Sequence, residues 1–270
     1  MEIKYINNSG NSVDLNKYPY KMLLSDLLDG EWSYESSNNK IDSFCKKIQS
    51  RSLKIDSHRN SGQSARSVQA NLVDLFEVDV VQNKRGRIYV DDYYMPCNII
   101  KDKKTLWETN VVVSSEFSLV TDYPYWIREK KITYERKQAS DTGYLDYPYD
   151  YPYDYSPNDM AVYLENTEVM PADFKLVIQG PCENPQVTIG QNKCQIMTTL
   201  SSYEYIVLNS MDRTVYKVSS TGTVTNVFES QNRNYENFDR IPQGKHIISI
   251  NGTFKMEITM YMKRSEPRWT

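Results

Sequence analysis

The sequence predicts a mainly β protein with two domains, and three features of the chain support this fold class. Short runs with apolar residues at every second position recur along most of the chain. A single run with helical spacing lies in the first half, and a Tyr/Pro/Asp-rich segment separates the halves. We therefore predict an N-terminal β-sandwich-like domain with one helix at 1–140, a connecting strap at 141–159 and an all-β sandwich at 160–270.

The first half begins with short strands. A hairpin is predicted where NNSGN separates EIKYI from SVDL, and another strand is predicted around Trp32 and Tyr34. After the helix, further strands are predicted in RGRIYV, NVVVSSEFSLV and WIREKKITYE. In the second of these, two serines interrupt the apolar alternation, so we expect a β-bulge at Ser114 and Ser115.

The single helix is predicted at residues 61–80. There Val68, Leu72 and Phe76 fall at four-residue steps, which place them on one face of an amphipathic helix. We expect that face to pack against a sheet. The candidate N-cap residues are Asn60 and Ser61.

The second half consists of strands and turns. Strands are predicted in DFKLVIQG, NPQVTIG, EYIVLNS, TVYKVS and TVTNVF, at a spacing of about ten residues that is typical of an all-β sandwich. The last segment, HIISINGTFKMEITMYMK, predicts a tight hairpin. Its Asn251-Gly252 pair suits a two-residue type I′ turn between two alternating apolar runs.

The strap between the halves contains YLDYPYDYPYDYSPND at residues 144–159. Pro148, Pro152 and Pro157 exclude an ordinary helix or a central strand, so we expect an extended, semi-rigid segment. Two roles are open for it. It is either a solvated spacer, or it docks on a neighbouring surface through its row of tyrosines at two-residue steps.

Charge and composition argue against several functional classes. The net charge is −3 and no basic stripe occurs, which disfavours nucleic-acid binding through the phosphate backbone. No apolar run approaches the ~20 residues of a membrane span, and the N-terminus lacks the features of a signal peptide. The cysteines are far apart and only two histidines accompany them, so we expect reduced thiols and no zinc site. These cysteines are Cys45, Cys97, Cys182 and Cys194.

The chain contains no catalytic motif. Its two histidines, His58 and His246, lie in loop or strand-edge contexts without the partners that a general base requires. A nucleophile elbow, a phosphate-binding loop and a dinucleotide fingerprint are all missing from the sequence. Carboxylates are plentiful, but none lies in an obviously apolar run. We therefore predict no catalytic, cofactor-binding or metal-binding residue, and no enzymatic activity.

Aromatic residues are abundant, with 22 tyrosines and four tryptophans. Three uses of these rings are compatible with the sequence: packing in a β-rich core, contact with other proteins, and stacking on sugars. The sequence alone leaves these three uses open.

Several sequence segments of this chain occur in the same order as in a known protein family. They are YPYKMLLSDLLDGEWSYES, NLVDLFEVDVVQNKRGRIYVDDYYMPCNII, FSLVTDYPYWIREKKITYE, IQGPCENPQVTIG and RIPQGKHIISINGTFKMEITMYMKRSEPRWT. In these phrases the chain resembles the distal tail proteins of long-tailed bacteriophages and related prophages, over nearly its whole length. The strap is not part of that pattern.

The resemblance implies a structural protein of the phage tail tip. Family members have an N-terminal β-sandwich with one helix and a projecting hairpin, followed by a galectin-like C-terminal sandwich. Six copies form a ring that joins the tail tube to the tail-tip hub or fibre, and the genome passes through its centre. The implied partners are further copies of the chain, the major tail-tube protein, the hub or fibre protein and receptor-binding proteins. The implied location is the virion, after synthesis in the host cytoplasm.

Two other functions stand beside this one. A carbohydrate-binding module would use the C-terminal sandwich and would need exposed aromatic rings in one plane, because a galectin-like fold does not by itself establish sugar binding. A glycoside hydrolase would need two opposed carboxylates in one cleft.

Overall fold

The computed structural model describes residues 1–107, 109–135 and 162–268. The described chain is mainly β, with one α-helix and antiparallel sheets, which confirms the predicted fold class. The predicted strap at 141–159 lies outside the described residues.

The chain forms two compact units. The N-terminal unit comprises Met1–Arg128 and Lys263–Thr270, and the C-terminal unit comprises Glu129–Met262. The elements of the first unit are β1 (Ile3–Ile6), β2 (Ser12–Asp14), β3 (Tyr20–Ser25), β4 (Ser33–Ser37), β5 (Lys40–Cys45), β6 (Gln49–His58), α1 (Ala65–Val81), β7 (Gly86–Val90), β8 (Tyr93–Leu106), β9 (Val112–Thr121) and the start of β10 (Trp126–Glu135).

One long strand, β8, joins the two antiparallel arrays of the N-terminal unit. Its first residues, Tyr93 to Cys97, pair with β7, and its later residues, Asn98 to Leu106, pair with β9. The first array continues from β7 through β1 to β2, and the second continues from β9 through β6 to β3. The predicted N-terminal hairpin is therefore confirmed as the β1–β2 pair.

The helix spans Ala65–Val81, so it begins later than the predicted range of 61–80. Asn60 and Gln63 exchange backbone hydrogen bonds across a turn that contains Gly62 at a φ of 78°. This turn occupies the positions of the expected first helical residues. Ser64 caps the helix instead, because its side chain accepts a hydrogen bond from the backbone amide three residues later.

The predicted inward face of α1 is confirmed. Val68, Leu72 and Phe76 are all buried. The Phe76 ring meets Tyr5 and Phe117 edge-on, with ring centres 4.9 and 5.3 Å apart. Edge-to-face contacts of this kind are favoured by the aromatic quadrupole, so the helix is held between residues of β1 and β9.

The predicted bulge at Ser114 and Ser115 is wrong. β9 pairs with β6 along its whole length without a shift in register, and the irregularities of this region lie in β8. Ser115 occupies a buried position in line with Val113 and Phe117. A buried hydroxyl is tolerated there because Gln69 donates a 2.9 Å hydrogen bond from Nε2 to the serine oxygen.

The C-terminal unit contains two larger sheets and one short strand pair. Its elements, besides most of β10, are β11 (Val162–Asn166), β12 (Asp173–Gln179), β13 (Cys182–Glu183), β14 (Gln186–Ile189), β15 (Asn192–Gln195), β16 (Thr199–Leu200), β17 (Tyr205–Asn209), β18 (Thr214–Val218), β19 (Val224–Asn226), a short 3₁₀ helix (Phe228–Ser230), β20 (Gly244–Ile250) and β21 (Lys255–Arg264). One sheet has the order β19-β18-β17-β12-β21, with β10 beside β21, and the other has the order β11-β20-β14-β15. Apolar side chains of both sheets form one core, as expected for a sandwich.

The predicted hairpin at Asn251-Gly252 is wrong. β20 and β21 belong to different sheets, since β20 pairs with β11 and β14 whereas β21 pairs with β12. Neither Asn251 nor Gly252 has the positive φ that a type I′ turn requires. Asn251 instead accepts a 2.7 Å hydrogen bond from the Gln186 amide and donates one to the carbonyl oxygen of Asn184. The segment therefore links the two sheets of the sandwich.

Candidate assembly surfaces of the N-terminal unit

The two histidines weighed as bases lie in different units. His58 is the last residue of β6, in the N-terminal unit, and His246 lies in β20, in the C-terminal unit. Among the described residues, no group of three or more His, Cys, Asp or Glu side chains is arranged to hold a metal ion. In the same part of the chain, no helix has the length and apolar character needed to cross a bilayer.

The four cysteines are free thiols, and Cys97 and Cys194 are buried. Burial raises the pKa of the Cys97 thiol far above its ordinary value. Burial also raises the pKa of Cys182 to about 11 and that of Cys194 to about 12. Because the thiolate is the reactive form, these three thiols are poor nucleophiles at neutral pH.

An exposed apolar surface lies on the hairpin formed by β4 and β5. Tyr34 and Phe44 are cross-strand partners, and Ile41 is the partner of Ser36, two positions further along β4. Residues two apart on β4 share a face, and a register shift between Glu35 and Ser36 leaves one extra residue in β5. Ile41 therefore stays on the face of Tyr34 and Phe44 although it lies three positions from Phe44. We call Tyr34, Ile41 and Phe44 the hairpin face; they are 60%, 55% and 66% exposed.

The hairpin face is not buried by other residues of the described chain. β4 and β5 form a two-stranded sheet, and no other strand of the described residues pairs with them. A two-stranded hairpin is at best marginally stable in water, and a contiguous exposed apolar patch commonly marks an interaction site. The hairpin face is therefore a candidate site for contact with another protein chain.

The turn of this hairpin was missed by sequence reasoning. Asn38 and Asn39 connect the strands with φ values of 47° and 60°. Positive φ at both central positions defines a type I′ turn, and asparagine tolerates that conformation. A strand was predicted around Trp32 and Tyr34, but the asparagine pair that follows it was the available signal for a hairpin.

The base of the hairpin is anchored to the rest of the N-terminal unit. Lys46 Nζ lies 5.4 Å from the ring centre of Trp32 and 5.5 Å from that of Tyr125. The same amine donates a 3.3 Å hydrogen bond to the carbonyl oxygen of Ser265. Burial lowers the pKa of Lys46, and the charge of nearby Arg51 acts in the same direction. These contacts hold the base of the hairpin in place.

A second surface is a groove between α1, β8 and β9, with a volume of about 490 Å³. Trp107 lines it and is 57% exposed. The carbonyl oxygen of Trp107 accepts hydrogen bonds of 3.3 and 3.2 Å from Nε and Nη2 of Arg66, which hold the end of β8 against the helix. We call this surface the α1 groove; its other lining residues are Gln69, Ala70, Val73, Asp74, Glu77, Lys104 and Val113.

The fold is similar to that of solved phage baseplate proteins. A chain of the phage P2 baseplate, in its activated conformation with calcium, aligns with a TM-score of 0.64 at 12% identity, covering 98% of this chain and 99% of that one. The SPP1 Dit protein, described as a paradigm of the hub adsorption apparatus in phages that infect Gram-positive bacteria, aligns with a TM-score of 0.60 at 7% identity, covering 97% and 99%. A phage p2 baseplate structure with strontium gives 0.64 at 14% identity, covering 98% and 99%.

No protein-family model matches the sequence, and no curated protein matches it either. At these low identities the structural likeness establishes the fold, while function depends on the surfaces that the fold carries. The likeness extends over nearly the full length of both chains in each comparison. The resemblance seen in the sequence is thus confirmed at the level of architecture: the chain has the fold of these phage baseplate and hub proteins.

Proposed function

We propose that the chain is a structural component of a phage tail tip. Its fold is similar over nearly the full length to those of phage baseplate and hub proteins. Several of its sequence segments also resemble those of phage distal tail proteins. These two observations support the proposal. In this role six copies form a closed ring that joins the tail tube to the tail-tip hub or fibre, and the genome passes through the centre. Closed cyclic symmetry is a common arrangement for repeated contacts between identical chains.

The observation that carries the proposal is the exposed hairpin face. Tyr34, Ile41 and Phe44 present apolar area to water on a hairpin that no other described strand pairs with. Removing such area from water contributes about 25 cal/mol per Å². A neighbouring copy that covers the hairpin face would therefore gain contact energy and would also stabilise the hairpin itself.

The two halves have different roles in this proposal. Residues 1–140 form the ring, and residues 160–270 form a galectin-like sandwich outside it, with the strap at 141–159 connecting them. The further partners are the major tail-tube protein, the hub or fibre protein and receptor-binding proteins. The chain performs no catalysis, is made in the host cytoplasm and resides in the virion.

The native mass of the purified full-length chain tests this function. We expect the wild type to have the mass of six copies, and the double variant Tyr34→Ser, Phe44→Ser to be monomeric at the same concentration, because the hairpin face has lost two rings. Tyr203→Ser, which removes an exposed ring from the C-terminal unit, is the control and should leave the mass unchanged. A wild-type monomer at high concentration, or a double variant that assembles like the wild type, would contradict the proposal.

A carbohydrate-binding module is the second candidate, and one observation favours it. Tyr203 in the C-terminal unit is 88% exposed and has a φ of 68°, which is strained for a bulky residue. Tyr205 follows it at the start of β17 and is partly exposed. A panel of glycans distinguishes the two functions: binding that disappears in Tyr203→Ala would favour the sugar module, and no binding is expected for a ring protein.

A further inference from the structure

Strand β11 (Val162–Asn166) lies at one end of its sheet in the C-terminal unit. Among the described residues it pairs with β20 alone, so its other edge is open. We propose that the strap of the same chain covers this edge as an added β-strand that places its tyrosines on the outer face of the sheet. The inference goes beyond the proposed function, because it concerns a single chain and holds whether or not copies assemble.

The backbone groups on the open edge belong to Tyr163 and Glu165. In β20, the carbonyl oxygen of Ile247 accepts a 2.8 Å hydrogen bond from the amide of Gly190, the residue after β14, so the backbone groups of Ile247 face β14 and not β11. Tyr163 is the cross-strand partner of Ile247, and its amide and carbonyl therefore point away from β20. Those of Glu165, two positions further along β11, point the same way. Such an edge is a template for a further strand.

Apolar side chains lie beside this edge on both faces of the sheet. On the outer face, Tyr163 and Ile247 are directly opposite each other, and each is 53% exposed. On the inner face, Val162 packs against the core of the sandwich and Leu164 is buried. An added strand would thus meet an exposed aromatic ring on its outer side and the apolar rim of the sandwich on its inner side.

The strap precedes β11 directly in the chain and contains a turn sequence at its end. Residues 136–161 connect β10 to β11 and include the strap. The strap ends in SPND at 156–159, which has the composition of a type I β-turn, since serine is favoured at the first position and proline at the second. Hairpin loops of five residues are commonly built around such a turn. A loop at 156–160 would lead the strap back along the open edge of β11.

The prolines of the strap have the spacing that an edge strand tolerates. The loop at 156–160 places Tyr153 opposite Tyr163, so the odd-numbered residues of the strap direct their backbone groups toward β11. Those residues are the tyrosines at 147, 149, 151, 153 and 155. Pro148 and Pro152 occupy the alternate positions, which face away from β11. Because proline has no amide to donate, a strand accepts it only on an edge that faces solvent.

The side chains favour the same register. On the outer face the Tyr153 ring lies beside that of Tyr163, and aromatic pairs of this kind stabilise neighbouring strands. On the inner face Pro152 lies opposite Leu164, so an apolar ring extends the rim of the core. A shift of two residues in either direction would place an aspartate, Asp150 or Asp154, opposite Leu164. The register is therefore set by the pattern of the strap as well as by its loop.

Two proline substitutions in the full-length chain test this pairing. Tyr153→Pro removes an amide that faces β11, whereas Asp154→Pro adds a proline at a position that faces away. Hydrogen exchange of the Tyr163 and Glu165 amides, measured by mass spectrometry, should be slow in the wild type and in Asp154→Pro, and at least about tenfold faster in Tyr153→Pro. Tyr153→Val keeps the amide without the ring and should retain the slow exchange. Equally fast exchange in all four chains would show that the strap is a spacer and would overturn the proposal.

A disulfide identifies which chain supplies the added strand. In the double variant Tyr153→Cys, Tyr163→Cys, mild oxidation should form a bond within one chain, because the Cα atoms of opposite residues are about 5.5 Å apart. The matched control Tyr147→Cys, Tyr163→Cys moves one thiol six residues along the strap and should form no such bond. A product with twice the mass of one chain would mean that another copy supplies the strand, and would overturn docking within the chain. A wild type that remains monomeric contradicts the ring and leaves this pairing standing.

Discussion

Asp79 is a carboxylate fully removed from water near the C-terminal end of α1, and three hydrogen bonds compensate for its burial. It accepts from the hydroxyl of Tyr5 at 2.6 Å, from the Asn8 amide at 2.7 Å and from Asn8 Nδ2 at 2.5 Å. Burial raises the pKa of Tyr5 far above its ordinary value, and the bond to Asp79 adds to this, so the phenol keeps its proton and donates it. Loss of one donor would leave a buried charge undersatisfied, which is costly.

Gly86 is the residue whose substitution should disturb this network most directly. A Cβ at this position would lie 2.2 Å from Asp79 Oδ2 and 2.2 Å from the Tyr5 hydroxyl. We expect Gly86→Ala to lower the free energy of unfolding by about 1–3 kcal/mol, the usual range for overpacking a core. Gly30→Ala is the matched control, because a Cβ there meets no atom within 4 Å. Equal urea midpoints for the two variants would show that the network tolerates the methyl group.

At the scale of elements, two segments that contain asparagine show the limits of local turn signals. Asn251-Gly252 has the composition of a type I′ turn, yet its flanking strands belong to different sheets. Asn38 and Asn39 form the type I′ turn that was not predicted. Turn composition is a local property, whereas the sheet that a strand joins depends on which distant strands bury its apolar face.

Helix α1 should contribute to the stability of the N-terminal unit mainly through Phe76. Its ring is buried between Tyr5 and Phe117, so Phe76→Ala should cost about 3–5 kcal/mol, the range for a fully buried phenylalanine. Val80→Ala removes an exposed side chain from the same helix and should change the free energy by less than about 0.5 kcal/mol. Denaturant melts of both variants measure the difference. A loss below about 1 kcal/mol for Phe76→Ala would mean that the helix is peripheral.

The elements that were predicted correctly depend on short-range periodicity. The four-residue spacing of Val68, Leu72 and Phe76 was sufficient to identify the buried face of α1. The α1 groove could not be predicted in the same way, because it needs Arg66 and Trp107, which are 41 positions apart, to meet at the end of β8. The exposure of the hairpin face is equally non-local, since it depends on the absence of a third strand beside β4 and β5 in the described chain.

At the scale of the whole molecule, buried or half-buried thiols occur in both units and link stability to pH. Cys97 lies in the N-terminal unit, and Cys182 and Cys194 lie in the C-terminal unit. Burial raises the pKa of each, because it disfavours the thiolate. In the unfolded chain these thiols ionise near the ordinary value of 9.0. Above that pH the unfolded state has lost protons that the native state still holds, so the free energy of unfolding falls as the pH rises.

This linkage predicts a measurable difference between cysteine variants. The loss begins near pH 9 and continues to about pH 11 for Cys182 and about pH 12 for Cys194. Within that window each thiol contributes a slope of up to about 1.4 kcal/mol per pH unit. Cys194→Ala should therefore give a shallower decline than the wild type in urea melts between about pH 8 and 10.5. The lysine and tyrosine titrations are common to the wild type and Cys194→Ala, so they cancel in the difference between the two stability curves. Cys45→Ala, at the end of β5, is the control. Parallel curves for Cys194→Ala and the wild type would mean that this thiol ionises equally in the folded and unfolded states.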